Sequence, residues 1–506
     1  MAFLKRALYE LFGKAERIFE YAFGQRYNPC TWLGSLGWFF YWITAATGIY
    51  LYIFFDTGIV DAYSSVEYMT NEQWYAAGVM RSLHRYASDA LVVIVVLHLL
   101  REFSMDRLRG KHFFAWLTGV PLLAFIYICG ISGYWLVWDR LAQYIAIATS
   151  EWLDTLPFFA EPIANNFLNS ETLGGRFFTL MVFIHIFAPL FMLVLMWIHV
   201  QRHSSPRVNP PRPLAVGTLV ALVVLSLVYP AVSQGPADLD TVPATVNLDW
   251  FYLAGYPLLD VVPGGQLWLY LVAGFLVLGL LPWAPPETKK PEAAVSLANC
   301  NGCSRCFDDC PFSALTMVPR TDGRPYELEP VVDPDNCTSC GICAGSCPTS
   351  TPFRRAKPIE PGIELPHRTI GALREQILAP WAAANGSPRV LVFSCDHGNA
   401  DRLNAEDVRV VKLPCVGMLP PSFVDYALAR NLADGVMIAG CAENDCFHRL
   451  GNEWTAQRMA RQRDPRLRQR VSDERLRIAW LPALAGRRRK AILETFRNQL
   501  SRPGDG

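Results

Sequence analysis

Long apolar runs confine the first part of this chain to a membrane. Residues 33–55 form 23 consecutive uncharged residues, enough to cross a hydrocarbon layer about 30 Å thick as a helix. Comparable runs follow at about 82–100, 113–138, 177–199, 213–233 and 266–283. Six transmembrane helices are therefore predicted, in a membrane domain over residues 1–285.

The basic residues predict which way these helices cross. The tail 1–31 and the two loops on its side carry 12 Lys and Arg residues, whereas the opposite loops carry two. Basic loops remain in the cytoplasm, so the N-terminus and everything after Pro285 are expected there, in a multi-pass protein of the inner membrane. The N-terminus also lacks a signal-peptide pattern, so the first span is expected to be retained.

Four histidines in two of the predicted spans share one spacing. His84 and His98 are 14 residues apart, and so are His185 and His199. Fourteen residues make almost four helical turns, so each pair occupies one helix face with an axial rise of about 21 Å. Two such helices side by side offer two bis-histidine sites suited to haem iron. The alternative is that these histidines only form hydrogen bonds between helices. The matched spacing disfavours this alternative.

The same interval separates pairs of glycines in two other spans. Gly34 and Gly48 lie in the first span, and Gly119 and Gly133 lie in the third. Glycine permits close approach of a backbone to a flat macrocycle, so these positions are candidates for the walls of haem pockets. Glycine pairs also serve as ordinary packing devices in membrane helices, and the shared interval favours the haem interpretation.

At these motifs the chain resembles the cytochrome b family of quinol:cytochrome c and quinol:plastocyanin oxidoreductases. The stretches that carry the resemblance are LGSLGWFFYWITAATG, RSLHRY and SGYWLVWDR. The resemblance implies that His84 and His185 bind a b haem nearer the outer face, and that His98 and His199 bind an inner one. It also implies that Arg81 contacts a haem propionate. Members of the family are dimers, so a homodimer is a possible assembly.

Two residues are candidates for a quinone site. The stretch 248–263 is similar to the part of the family that has a Pro-Glu-Trp-Tyr element at its outer quinol site, and Asp249 stands in place of Glu. A carboxylate suited to proton transfer is thus retained, although an ordinary loop acid fits equally well. His203, four residues after His199, is an inner candidate, with a solvated interfacial histidine as the alternative. Asp89, in the middle of the second span, is expected to have a structural role through hydrogen bonds.

Eight cysteines beyond a Pro-rich linker repeat one ligand pattern. Each motif reads Cys-x2-Cys-x2-Cys-x3-Cys-Pro, the arrangement of bacterial two-cluster ferredoxins, in which the fourth cysteine reaches the other cluster. An α+β ferredoxin domain is therefore predicted over 286–360. Its predicted ligand sets are Cys300, Cys303, Cys306 and Cys347 for one [4Fe–4S] cluster, and Cys337, Cys340, Cys343 and Cys310 for the other. Zinc is the alternative, and it has no need of a crossed eight-cysteine pattern.

The remainder, 361–506, has the pattern of an α/β domain. Three apolar runs predict strands that end in cysteine, over 389–395, 408–415 and 435–441, and a fourth strand is predicted over 477–482. Parallel strands bring their carboxyl ends to one edge, where ligands bind. The cysteines expected to converge there are Cys395, Cys415, Cys441 and Cys446. Buried structural cysteines are the alternative.

The stretches PCVGMLPPSFVDYAL and DGVMIAGCAENDCFHRLGN resemble the delta subunit of methyl-viologen-reducing hydrogenase, an iron–sulfur protein that passes electrons to heterodisulfide reductase. The resemblance implies a [2Fe–2S] cluster. The family has Cys-x2-Cys at the first strand end, whereas this chain has Cys395 followed by Asp396, His397 and Gly398. His397 is therefore an alternative ligand.

Several functions are disfavoured by what the sequence lacks. It has no Gly-x-Gly-x-x-Gly after a strand, no phosphate loop and no flavin fingerprint, and its net charge of +1 gives no footprint for nucleic acid. The chain is thus not expected to oxidise an organic substrate by itself.

The prediction is a membrane electron-transfer subunit of a quinone oxidoreductase complex. Two b haems, two [4Fe–4S] clusters and one [2Fe–2S] cluster would join a cytoplasmic partner to membrane quinone. The expected partner is a flavoprotein, a dehydrogenase or a heterodisulfide-reductase-like subunit. Two alternatives are a module in which quinol supplies low-potential electrons by reverse flow or bifurcation, and a non-catalytic membrane anchor for a soluble redox complex.

Overall fold

The computed structural model divides the chain into two compact units, Met1–Glu287 and Thr288–Gly506. The second unit contains both segments for which the sequence predicts separate domains. The structure describes the following residues: 2–157, 175–201, 208–283, 290–355, 358–381, 387–398, 400, 403, 405–443, 445–481 and 485–501.

The first unit is helical. Its helices are α1 (Ala2–Phe23), α2 (Leu33–Phe54), α3 (Asp61–Asn71), α4 (Val79–Ser104), α5 (Phe113–Val137), α6 (Arg140–Asp154), α7 (Gly175–Gln201), α8 (Arg212–Val228) and α9 (Gly264–Leu280).

Five helical segments of the described residues are long and apolar enough to cross a membrane. These are Leu33–Phe54, Trp74–Ser104, Phe113–Val137, Phe178–Gln201 and Gly264–Trp283. The predicted span 213–233 is shorter than expected, because α8 has 17 residues and ends two residues before Pro230. It rises about 26 Å, a little less than the roughly 30 Å hydrocarbon layer, so the six-span count remains a prediction.

The spanning helices associate mainly as two antiparallel pairs, α2 with α4 and α5 with α7. A buried ion pair fastens α1 to α4, because Arg101 donates from Nη2 to Glu16 Oε1 at 2.9 Å and both residues are about 3% exposed. Asp139 caps the N-terminus of α6 by accepting from Ala142 N at 2.9 Å. These contacts hold the connecting segments against the bundle.

The first part of the second unit contains short strands and two single-turn helices. The strands β1 (Ala294–Val295) and β4 (Ile363–Glu364) pair antiparallel, as do β2 (Leu315–Pro319) and β3 (Leu328–Val332). Each helix follows a left-handed residue. Ser304 precedes α10 (Arg305–Asp308), and Gly341 precedes α11 (Ile342–Ser346). The predicted α+β character is present.

The second part is an α/β layer with one parallel sheet. Its strands are β5 (Val390–Cys395), β6 (Val408–Leu413), β7 (Gly435–Gly440) and β8 (Leu476–Trp480), in the order β6-β5-β7-β8. The helices of this unit after the ferredoxin motifs are α12 (Ile370–Leu378), α13 (Pro421–Ala429), α14 (Gly451–Met459) and α15 (Gly486–Leu500). After β5 the chain forms β6 on one side of β5, and it then crosses over to form β7 on the other side. The direction of winding therefore reverses between β5 and β7. Such a switch point is where ligands bind in open α/β sheets.

One hydrophobic core runs through both parts of this unit. It includes Cys343 and Leu365 from the ferredoxin part, with Phe393 and Ile438 from the sheet. The fully buried Arg458 of α14 also joins the two parts. Arg458 forms an ion pair with Asp309 and donates to Gly417 O at 2.8 Å.

Candidate redox sites

Each of the four span histidines lies against one of the four glycines identified by spacing. A Cβ atom at Gly48 would come within 2.9 Å of His84 Cε1, and one at Gly133 within 2.9 Å of His185 Cε1. The second set is slightly looser: the corresponding distances are 3.4 Å from Gly34 to His98 Cε1 and 3.5 Å from Gly119 to His199 Cε1. The glycines therefore make room for the imidazoles themselves, which is more specific than the packing against a macrocycle that the sequence suggested.

Hydrogen bonds at Nδ1 orient three of these rings. His84 Nδ1 lies 2.9 Å from Thr44 O, and His185 Nδ1 lies 3.0 Å from Cys129 O. His199 Nδ1 contacts Thr118 Oγ1 at 2.9 Å. A ring that donates from Nδ1 presents Nε2 as its metal-binding nitrogen, and such a second contact fixes both tautomer and orientation.

The separation of His84 and His185 matches a shared metal. Their ring centroids are 6.2 Å apart, across the boundary between the two helix pairs. Two metal–nitrogen bonds of about 2 Å each, together with the two ring radii, account for a separation of this size. The donor set, the glycine cradles and the fixed tautomers all fit a bis-histidine haem at this level of the bundle.

Arg81 lies one helical turn before His84 and is held by polar neighbours. It donates to Thr70 Oγ1 and, at 2.8 Å, to Ser233 Oγ, and its guanidinium is 3.6 Å from Glu67. The side chain is thus fixed beside the His84 level, where the family resemblance expects a propionate contact.

Two cavities in the second unit separate the eight ferredoxin cysteines as the crossed pattern predicts. The wall of one cavity includes Cys300, Cys303, Cys306 and Cys347. The wall of the other includes Cys310, Cys337, Cys340 and Cys343. In each set the fourth thiol comes from the other motif.

These thiols differ in exposure. Burial raises the pKa of Cys343 well above its ordinary value, and burial with neighbouring thiols raises the pKa of Cys306 to about 12. Proton release from such thiols requires a strong Lewis acid, which iron supplies. Of the twelve cysteines of this unit, Cys303 is the one that is exposed.

The four cysteines of the sheet meet at the switch point between β5 and β7. Cys395 Sγ lies 3.3 Å from Cys441 Sγ, and Cys446 is within hydrogen-bonding reach of Cys415 and Cys441. Hydrogen bonds with neighbouring thiols, together with burial, raise the pKa of Cys415 and Cys441 well above the ordinary range. The four cysteines that the sequence predicts to converge therefore lie near one another at the carboxyl edge of the sheet.

His397, the alternative ligand, packs on an aromatic ring. Its imidazole stacks on Phe447 with centroids 3.5 Å apart and ring planes 14° apart. This stacking accounts for the position of His397. The four cysteine sulfurs can supply four ligands without the imidazole.

The two quinone-site candidates have different outcomes. Asp249 is 8% exposed and accepts from Phe251 N at 2.7 Å and from the Tyr134 hydroxyl. It is also ion-paired with Arg85, so it is not a free loop acid. His203 lies outside the described residues.

Two relationships were not visible in the sequence. Arg85 and Asp89 join Asp249 in one polar cluster, although they are more than 150 residues away along the chain. Cys340 of the ferredoxin part packs with Cys415 of the sheet in one buried cluster that also holds Ile342 and Trp454. Both relationships join segments that are distant in the sequence. The one hint of them in the sequence was an acidic residue, Asp89, inside an apolar span.

The structure thus defines a multi-pass membrane protein with a histidine-bearing bundle and three cysteine sites in a second unit. Comparisons with known proteins agree with this class. Residues 22–203 match the family model "Cytochrome b/b6/petB", residues 299–351 match "4Fe-4S dicluster domain", and residues 390–504 match "Methyl-viologen-reducing hydrogenase, delta subunit". The predicted resemblance of the chain to these three families is confirmed.

One solved structure, described as "Hyperthermophilic respiratory Complex III", aligns with 50% of this chain and 74% of its own length. The two are 19% identical, with a TM-score of 0.41.

Proposed function

We propose that this chain carries electrons between a cytoplasmic redox partner and membrane quinone. The observation that supports the proposal is that Cys340 and Cys415 belong to one buried cluster, which favours proximity of the third thiol site to one of the two ferredoxin sites. Neighbouring sites within one unit favour a path for electrons, whereas isolated structural centres need no such proximity.

The residues of the second unit give that path an order. The four-thiol cluster at the sheet edge would hold a [2Fe–2S] cluster and forms one end. The set around Cys340 is the middle site, because it borders the sheet site and is tied to the remaining set through the crossed cysteines Cys310 and Cys347. The set with the exposed Cys303 forms the other end.

In the membrane unit, four histidines would hold two b haems, with His84 and His185 at one level and His98 and His199 at the other. When bound, these haems and the iron–sulfur clusters supply one-electron carriers. The protein contributes fixed tautomers, glycine cradles and a low-dielectric surround, all of which influence reduction potential. Asp249 and His203 are proposed to serve outer and inner quinone sites, and the N-terminus and the iron–sulfur unit are proposed to be cytoplasmic.

The kind of cytoplasmic partner is inferred from chemistry. A hydrogenase-delta-like segment whose sequence has neither a flavin fingerprint nor a phosphate loop fits a donor that is itself a redox protein, such as a flavoprotein, a dehydrogenase or a heterodisulfide-reductase-like subunit. Reverse flow from quinol would use the same residues in the opposite direction, and bifurcation would send the two electrons of quinol to two different acceptors. In a passive anchor the same ligands would hold metal centres that are only structural.

The proposal is tested by quinone-driven reoxidation in membrane vesicles that contain the full chain. The vesicles are reduced anaerobically with dithionite and mixed with a short-chain quinone, while haem and iron–sulfur absorbance are recorded. Both signals should be reoxidised, and His199→Ala should abolish the iron–sulfur phase. His112→Ala, immediately before α5 in the same unit, should preserve it. Iron–sulfur reoxidation that is equally fast in His199→Ala contradicts the proposed path.

A further inference from the structure

Two carboxylates in the membrane unit share a single guanidinium. Arg85 Nε donates to Asp89 Oδ2 at 3.0 Å, and Arg85 Nη2 lies 3.2 Å from Asp249 Oδ2. Among the ion pairs of the described residues, Arg85 is the one cation that either carboxylate contacts. Both acids are 8% exposed. If both were ionised, the cluster would hold a net negative charge in a low-dielectric environment, which is costly.

The hydrogen bonds distinguish the two acids. Asp249 accepts at both oxygens, at Oδ1 from Phe251 N and at Oδ2 from the Tyr134 hydroxyl and Arg85. An ionised carboxylate is satisfied by such donors. Asp89 accepts from Arg85 at Oδ2, whereas its Oδ1 is buried and has no hydrogen-bond partner among the residues that the structure describes. A carboxylate oxygen without a donor favours the protonated acid.

The Asp89 carboxyl has a suitable acceptor once it carries a proton. The Asp89 carboxyl lies within hydrogen-bonding reach of the Asp249 carboxyl, and two carboxyl groups can bond only when one of them is protonated. The charged and titratable groups around the pair come from three elements: Arg85 and Tyr86 of α4, Tyr127 and Tyr134 of α5, and Tyr252 of the segment after α8. Four of these five are tyrosines, which bring no charge at neutral pH.

We infer that Asp89 and Asp249 together bind one proton at neutral pH, that the proton resides on Asp89, and that Asp249 is the ionised partner of Arg85. Asp89 is therefore the exchangeable proton carrier of the outer half of the bundle, and Asp249 positions it through Arg85. The use of this proton at an outer quinone site rests on the proposed function, whereas the protonation itself does not.

The inference is tested by infrared difference spectroscopy of the full-length protein in lipid nanodiscs during a pH titration. Wild type should show one protonated-carboxyl C=O band at neutral pH that both Asp89→Asn and Asp249→Asn remove, since either change leaves one acid neutralised by Arg85. Asp106→Asn is the control, because Asp106 is an exposed partner of Lys5 in the same unit, and it should leave the band unchanged.

Conservative variants assign the proton to one acid. Asp89→Glu should retain the band and shift its frequency, while Asp249→Glu should retain it nearly unshifted. A wild-type spectrum without the band overturns the inference, and so does a band that shifts only in Asp249→Glu. Haem binding, read from the visible spectrum of the same samples, shows whether each variant is folded. Failure of quinone-driven reoxidation with the band intact would contradict the proposed function and leave the proton site standing.

Discussion

Gly133 packs directly against His185: a Cβ atom at this glycine would come within 2.9 Å of the imidazole Cε1. The same relationship holds between Gly48 and His84, at the same level of the bundle. The backbone of one helix thereby sets the position of a side chain on its neighbour. This is the most direct link between the glycine spacing of the sequence and the chemistry that we propose for the histidines.

These contacts predict a graded response to alanine. Gly48→Ala and Gly133→Ala should displace His84 or His185 and lower the haem content of that level, because a Cβ 2.9 Å from a ring carbon forces a shift. Gly34→Ala and Gly119→Ala are matched controls, since their distances of 3.4 and 3.5 Å are close to ordinary contact. Haem per protein and the α-band spectrum measure the difference. Equal loss in all four variants would argue against this role of the close contacts.

The crossed cysteines predict a crossed loss of signal. Cys347→Ser should perturb the cluster that the first motif holds, and Cys310→Ser should perturb the cluster of the second motif, because each thiol borders the other motif's cavity. Iron content and electron paramagnetic resonance of the reduced protein report the outcome. Cys30→Ser, in the membrane unit, is the control. If each variant alters only the signal of its own motif, the crossed assignment is wrong.

The Nδ1 hydrogen bonds predict a shift in reduction potential. Thr118→Val removes an acceptor from His199, so the imidazole becomes a weaker donor to iron and the potential of that haem should rise. A lost hydrogen bond of about 1 kcal/mol corresponds to on the order of 40 mV for one electron. Thr44→Val is the control, because His84 contacts the Thr44 carbonyl, which this change retains. Potentiometric titration that finds equal shifts in both variants excludes this cause.

The buried ion pair of the second unit predicts a loss of stability. Arg458→Ala removes the fully buried partner of Asp309. Removing one member of a buried ion pair costs about 3–5 kcal/mol of stability. Arg463 also pairs with Asp309, which places the expected cost at the lower end. Arg466→Ala, from an exposed pair with Asp464, should cost about 0–1 kcal/mol. The temperature at which iron–sulfur absorbance bleaches is the measurement, and equal temperatures in the two variants would refute the prediction.

Features that depend on spacing within one element could be predicted from the sequence. The interval between His84 and His98 fixes their shared face whatever the neighbours do, and the cysteine motifs fix their own turns. The convergence of Cys395 and Cys441 also followed, since parallel strands end at one edge. Contacts between distant segments could not be predicted. Nothing in the local pattern of Asp89 indicates that Asp249 lies beside it, because that proximity depends on how the loop before α9 folds back.

The central claim is that the three thiol sites and the two histidine levels belong to one electron path. A potentiometric titration of the full-length protein, monitored optically for haem and by electron paramagnetic resonance for iron–sulfur clusters, tests it most directly. The account predicts two b-haem components with split α-bands and reducible signals from three clusters, with magnetic interaction between the sheet cluster and the cluster around Cys340. A single haem component, or fewer than three reducible clusters in fully loaded protein, would contradict it.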